Sequence, residues 1–117
     1  MAEQPNGGFI TPPDLTIAAL ATEITTLAAR YRVPAIYSGT STTYVRRGGL
    51  ASYGPDIVEL YRRQASYVDR VLRGEKPSDL PIQQPTNYQL AINLKTAKAL
   101  GLEVPPTLLA RADEVIE

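Results

Sequence analysis

The side chains of this chain that are able to do chemistry are almost all oxygen-bearing. There is no histidine and no cysteine, which removes the commonest general base, the thiol nucleophile and the usual zinc ligands together. Acid–base work would fall to carboxylates, lysine or tyrosine. Two aspartates stand where helices open, Asp14 in Thr11-Pro12-Pro13-Asp14 and Asp56 in Gly54-Pro55-Asp56. A carboxylate there has a sufficient local reason to exist, because it accepts from the unpaired N–H groups of the first turn. The sequence holds no nucleophile elbow, phosphate loop or metal-ligand spacing. Such a vocabulary suits recognition rather than turnover. The chain is therefore expected not to be an enzyme and to need no cofactor and no metal.

The binding candidates gather at the ends of short apolar runs. Phe9-Ile10 reads as a strand stopped by Thr11-Pro12-Pro13-Asp14, since proline cannot continue a ladder. Ile17, Leu20, Ala21, Ile24, Leu27, Ala28 and Tyr31 recur at helical spacing, with Asp14 or Thr16 as the cap. Val33 to Tyr37 is a second strand, and a strand–helix–strand unit this short implies a right-handed parallel crossover. Ligands of open α/β sheets gather outside the carboxyl ends of the strands. That places Thr11, Pro13 and Asp14 on one loop and Tyr37, Ser38 and the hydroxyl-rich stretch to Thr43 on the next. Leu50 to Tyr53 reads as a third strand.

The elements around these candidates follow from turn and cap signals. Arg46-Arg47-Gly48-Gly49 predicts a turn, and Gly54-Pro55-Asp56 predicts a helix opening with proline near its first position. Ile57, Tyr61, Ala65, Val68 and Leu72 make one apolar stripe, Gly74 stops the helix, and Arg62-Arg63 reads as solvated surface. Glu75 to Pro85 carries prolines at 77, 81 and 85 and is expected to be an extended traverse rather than a regular element. Tyr88 to Ile92 alternates as a fourth strand. Asn93 caps a short helix reaching Leu100, Gly101 ends it, and Pro105-Pro106 starts a last helix carrying Leu108, Leu109, Ala112, Val115 and Ile116.

At 117 residues the chain suffices for one ordinary domain, not for two lobes each with its own core. Its 44% hydrophobic and 21% charged content is that of a globular chain. Lysine plus arginine, 12, balances aspartate plus glutamate, 12, so no net field draws it to nucleic acid or an anionic membrane. No run has the length of a membrane span, and Met1 to Gly8 lacks the basic and apolar regions of a signal peptide. As written, the sequence predicts a soluble chain that stays in the cytoplasm.

The runs GGLASYGPD, YVDRVLRGEKPSDLPIQQPT, INLKTAKALGL and VPPTLLARADEVIE resemble the carboxyl-terminal part of the ABC-transporter substrate-binding protein family related to tryptophan and tyrosine binders. The resemblance runs from about Asn6 to Glu117. It implies an α/β fold made of three-layer parallel-sheet pieces of a type I periplasmic binding protein, corresponding to its closing part only. Residues 1–8 would be a disordered or extended start. Residues 9–49 would be strand, helix and strand of one lobe, residues 50–74 a crossing strand and helix of the other, and residues 75–117 the return traverse, a strand and two helices.

By the same resemblance the partners would be a small organic solute, such as an amino acid or a carboxylated or aromatic metabolite, and an ABC permease, in the periplasm. The ligand-binding set would be Thr11, Pro13, Asp14, Tyr37, Ser38 and Tyr53. A competing expectation is a self-associating structural fragment, a homodimer formed by exchange of elements through the Glu75–Pro85 traverse. Its counterpart is a collapse of the strands into one small parallel or mixed sheet within a single chain.

Overall fold

The computed structural model describes residues 7–39 and 42–117. Five strands, β1 (Phe9–Thr11), β2 (Ala35–Ser38), β3 (Ala51–Pro55), β4 (Tyr88–Asn93) and β5 (Glu114–Ile116), form one sheet in the order of the sequence. β1, β2 and β3 run parallel, β4 is antiparallel to β3, and β5 is parallel to β4. The expected α/β architecture with a mostly parallel sheet is what the chain forms, and it is mixed because β4 returns against β3. Within residues 50–74, β3 lies in the sheet between β2 and β4.

The first crossover is helical as its period requires, in two pieces, α1 (Leu15–Ala19) and α2 (Ala21–Arg30). The single helix expected from Leu15 to Tyr31 is interrupted at Leu20, whose φ of −92° and ψ of 11° leave the helical range. Asp14, not Thr16, is the cap, accepting from the N–H of Thr16 at 2.8 Å and of Ile17 at 3.1 Å. The second crossover holds a short helix, α3 (Thr42–Arg46), where a hydroxyl-rich loop was expected, and the expected arginine turn follows it at Arg47 and Gly48; Thr40 and Ser41 of that loop lie outside the described residues. Tyr44 and Val45 account for the helix. Both are buried against the sheet, and that burial outweighs the weak helix preference of threonine.

Helix α4 (Ile57–Leu72) opens on Asp56, which accepts from Val58 at 2.9 Å and Glu59 at 3.2 Å. Pro55 is the last residue of β3, not the first of the helix. The expected apolar stripe exists but is not core, for no residue of α4 is buried. The traverse carries a short 3-10 turn, Pro77–Asp79, where no regular element was expected, and proline at its start costs no hydrogen bond there. α5 (Leu94–Ala99) is capped by Asn93 as expected. The last helix is shorter than its pattern implied. α6 covers only Pro106–Leu109, and Val115 and Ile116 belong to β5. The switch is made by Asp113, whose N–H donates to Leu90 O and whose carboxylate accepts from Leu90 N, both at 2.8 Å. That pair docks the β-branched residues that follow onto β4.

The two sheet faces are filled differently. On one, α2, α3 and α5 pack small side chains, Ala21, Ala28, Ala35, Ala91 and Ala97, around a parallel stack of Tyr37 and Tyr44 with centroids 4.7 Å apart. Phe9 meets Tyr37 edge-on at 6.3 Å. Alanine lets the backbones approach, and the aromatic rings fill what remains. The other face carries Ile10, Ile36, Tyr53, Leu90 and Ile92, and only the run from Leu102 through α6 lies over its β4 side.

Candidate functional site

Because β4 is antiparallel to the first three strands, its start lies beside their carboxyl ends. Thr11–Asp14, Ser38–Gly39, Tyr53–Asp56 and Tyr88 therefore come to one end of the sheet. The loops are tied to one another. Ser38 N donates to Thr11 Oγ1 at 3.3 Å, and Gly39 N donates to Tyr53 O at 3.3 Å. Gly54 runs so close to Gly39 that a Cβ on it would sit 2.7 Å from the Gly39 carbonyl carbon. Only glycine fits there. Asp56 N donates to Asn87 O at 2.9 Å, and Gln89 Nε2 donates to Asp56 Oδ2 at 3.1 Å, so the strand leaving for α4 and the strand returning from it are held side by side.

Of the six residues singled out in the sequence, five are at this end and on reachable or supporting positions. Thr11 is buried and shapes the loop through its hydroxyl. Pro13 and Asp14 are exposed. Asp14 is also the α1 cap, and the N–H groups of Ile17 and then Thr16 hold its carboxyl below the usual aspartate value, so it is ionised at neutral pH. Ser38 and Tyr53 are paired neighbours on the open face, where Tyr53 is 51% exposed.

Tyr37 is the correction. Alternation along β2 turns it to the opposite face from Ser38, and its side chain is 0% exposed. Burial first, and the neighbouring Tyr44 second, push its hydroxyl up to about 12. That hydroxyl has no hydrogen-bond partner among the described residues.

Tyr88 was not singled out, and it stacks on Tyr53 with ring centroids 5.5 Å apart. The alternating run to Ile92 marks it as a strand residue, but only the antiparallel register with β3 brings it to the site. Above these residues a trough of about 750 Å³ opens on the uncovered sheet face, lined by Ile10, Ile36, Ser38, Tyr53, Tyr88 and Leu90 and walled by the run from Leu102 to Leu108. Its size falls within the range of small-molecule pockets, and apolar walls with few polar groups are their usual lining. No group of three carboxylates close enough to hold a metal occurs among the described residues. No helix among them is long and apolar enough to cross a membrane.

A family model described as ABC transporter substrate binding protein matches residues 1–116. The chain belongs to this family. Among solved structures, the chain is similar to a conserved domain protein of Vibrio cholerae, at 30% identity and a TM-score of 0.83 over 97% of its length. It is also similar, at 31% identity and a TM-score of 0.81 over 93% of its length, to the ABC domain of Streptococcus pneumoniae solved in complex with L-Trp. A ligand-free, open substrate-binding protein with adhesive properties from Clostridium difficile shares the fold at 24% identity and a TM-score of 0.60, over 92% of this chain and 35% of that one. The chain spans 38% and 37% of the length of the first two. A search of the curated proteins gives no match.

Proposed function

We propose that this chain supplies one wall of a cleft for a small organic solute, an amino acid or a related carboxylated or aromatic metabolite, carried to an ABC permease outside the cytoplasm. The observation that carries the reading is the meeting of Pro13, Asp14, Ser38 and Tyr53 at the carboxyl ends of three parallel strands, beside an apolar trough. Thr11 positions the wall rather than touching the solute, since its hydroxyl is already engaged by Ser38 N. Asp14 supplies a fixed negative charge for an ammonium, Ser38 a small donor and acceptor, and Tyr53 a ring face with a hydroxyl at its edge. Membership of a substrate-binding family, and a similar domain holding L-Trp, support the same class of ligand.

The reading is tested by calorimetric titration of the chain with a panel of amino acids and small carboxylates, repeated on Tyr53→Ala. Saturable binding of at least one member, weakened about ten-fold in the variant, is expected, since truncating a central aromatic anchor removes roughly that much affinity. Binding that Tyr53→Ala leaves unchanged, or no binding across the panel, contradicts it.

A further inference from the structure

Helix α4 is amphipathic, and it is turned the opposite way from an ordinary surface helix. The polar groups that tie it to its own chain leave from one face. Asn87 Nδ2 donates to the Glu59 carboxylate, Arg63 Nη2 donates to Thr86 Oγ1 at 2.9 Å, the Tyr67 hydroxyl donates to Pro81 O at 2.6 Å, and Arg70 Nε donates to Glu75 Oε2 at 2.6 Å. Residues 59, 63, 67 and 70 follow helical spacing, so the proline-rich traverse runs along a polar face. The opposite face carries Val58, Tyr61, Ala65, Val68 and Leu72, and it is open: Tyr61 is 66%, Val68 58% and Leu72 81% exposed. A surface helix normally turns its apolar stripe inward and its charges to water. None of these five residues lines the trough, so the stripe is a second apolar surface, separate from the sheet face.

The charges beside the stripe say what fits it. Arg62 and Asp69 stand about two turns apart on one flank, while Gln64 and Val71 on the other flank are uncharged. Arg62 makes no ion pair among the described residues, and Asp69 pairs with Arg73 at 2.9 Å where both are exposed. A second α4 laid antiparallel on the first reverses this order. Tyr61 with Leu72, Ala65 with Val68, and Arg62 with Asp69 have midpoints that agree to about one residue, or ~1.5 Å along the axis. A single two-fold axis therefore sets Tyr61 beside Leu72 of the second copy, brings the small Ala65 against Val68 so that the helices approach closely, and places Arg62 opposite Asp69 at both symmetric positions. A parallel pair would instead oppose arginine to arginine and aspartate to aspartate.

We propose that the open face of α4 is a self-association surface that takes the α4 of a second copy of this chain, antiparallel, with the apolar stripes in contact and Arg62 paired to Asp69 of the second copy along the charged flank. No residue lining the trough takes part in the contact.

Sedimentation equilibrium of the chain over a concentration series tests the pairing, with circular dichroism as the check on folding. A monomer–dimer equilibrium is expected, and Val68→Glu should abolish it by setting a carboxylate in the apolar contact. Arg62→Asp and Asp69→Arg should each weaken the dimer about five-fold, since each turns two attractive pairs into repulsive ones. The chain carrying both substitutions should regain most of the lost affinity. Arg62 and Asp69 are exposed, so this charge series decides the matter even where Val68→Glu loses its fold. A monomer at every concentration overturns the proposal and leaves the stripe to a different chain or to a further segment of a longer protein. A dimer that Arg62→Asp and Asp69→Arg leave unchanged, or that the double substitution fails to restore, also overturns it and puts the contact between copies elsewhere.

Discussion

The two faces of the sheet are built from the same strands with the same alternation, yet one is a finished core and the other a surface with chemistry on it. Along β2 the contrast is one residue wide: Ile36 and Ser38 face the trough, and Tyr37 between them is wholly buried. A strand places its side chains on alternate faces without deciding which face matters. The neighbours decide. Alanines on α2 and α5 and the Tyr44–Val45 pair on α3 close one side, whereas the run from Leu102 through α6 covers only part of the other. An aromatic side chain is therefore buried or left open according to its face, and type and spacing along the strand do not tell which.

The largest expected effect separates the faces directly. Tyr37→Ala should cost about 3 to 5 kcal/mol in urea unfolding, as truncation of a buried aromatic does, while Ile36→Ala should cost less than about 1 kcal/mol. Similar losses would erase the distinction. Next in size is Asn93, buried at the junction of β4 and α5, whose Nδ2 donates to Val45 O at 2.9 Å and whose Oδ1 accepts from Thr96 N at 3.0 Å. Asn93→Ala should lose about 2 kcal/mol, a cap plus a stranded carbonyl, with m-value unchanged in the same experiment.

Alkali sharpens the comparison further. Tyr37 stays protonated in the fold up to about 12, against an ordinary 10.0. Below the lower value folded and unfolded chains hold the same proton and nothing changes. Between the two the unfolded chain ionises first, so stability should fall with rising pH by at most about 1.4 kcal/mol per unit. Tyr37→Phe should abolish that component of the slope, which thermal unfolding over this range measures, and should be as stable as the parent at neutral pH because an unpartnered hydroxyl is removed. The smallest effect is at Asp14. Its carboxyl is held below the ordinary 3.8, so its capping contribution is complete above that value and is lost as pH falls through the lowered one. Lower amide protection at Thr16 and Ile17 on acidification, taken relative to the intrinsic exchange rate at each pH and absent in Asp14→Ala, is the expected sign.

Much of this was legible in the sequence, and the exceptions share a cause. Local signals held: the prolines after β1, the 3.6-residue period to Tyr31, Asp14, Asp56 and Asn93 as caps. What failed was set by partners distant in the chain. Thr42 to Arg46 is helical because Tyr44 and Val45 meet the sheet, and Val115-Ile116 is a strand because Asp113 pairs with Leu90, 23 residues away. Tyr88 entered the site through a register that no local pattern encodes, and Tyr37 left the candidate set because alternation fixes relative, not absolute, direction. The stripe on α4 was read correctly as apolar, but none of its residues is buried. Light scattering over a concentration series tests whether a second copy covers them: concentration-dependent dimers are expected of a homodimer, and a monomer at every concentration contradicts one.

The central claim is that the uncovered face and the strand ends beside it form the binding wall. Chemical-shift mapping of the chain with an amino-acid and carboxylate panel tests it most directly. The account predicts perturbations at Pro13, Asp14, Ser38, Tyr53 and Tyr88 and quiet signals at Tyr37 and Tyr44. Perturbations confined to α6 and the residues after it, with the strand ends unmoved, would contradict it.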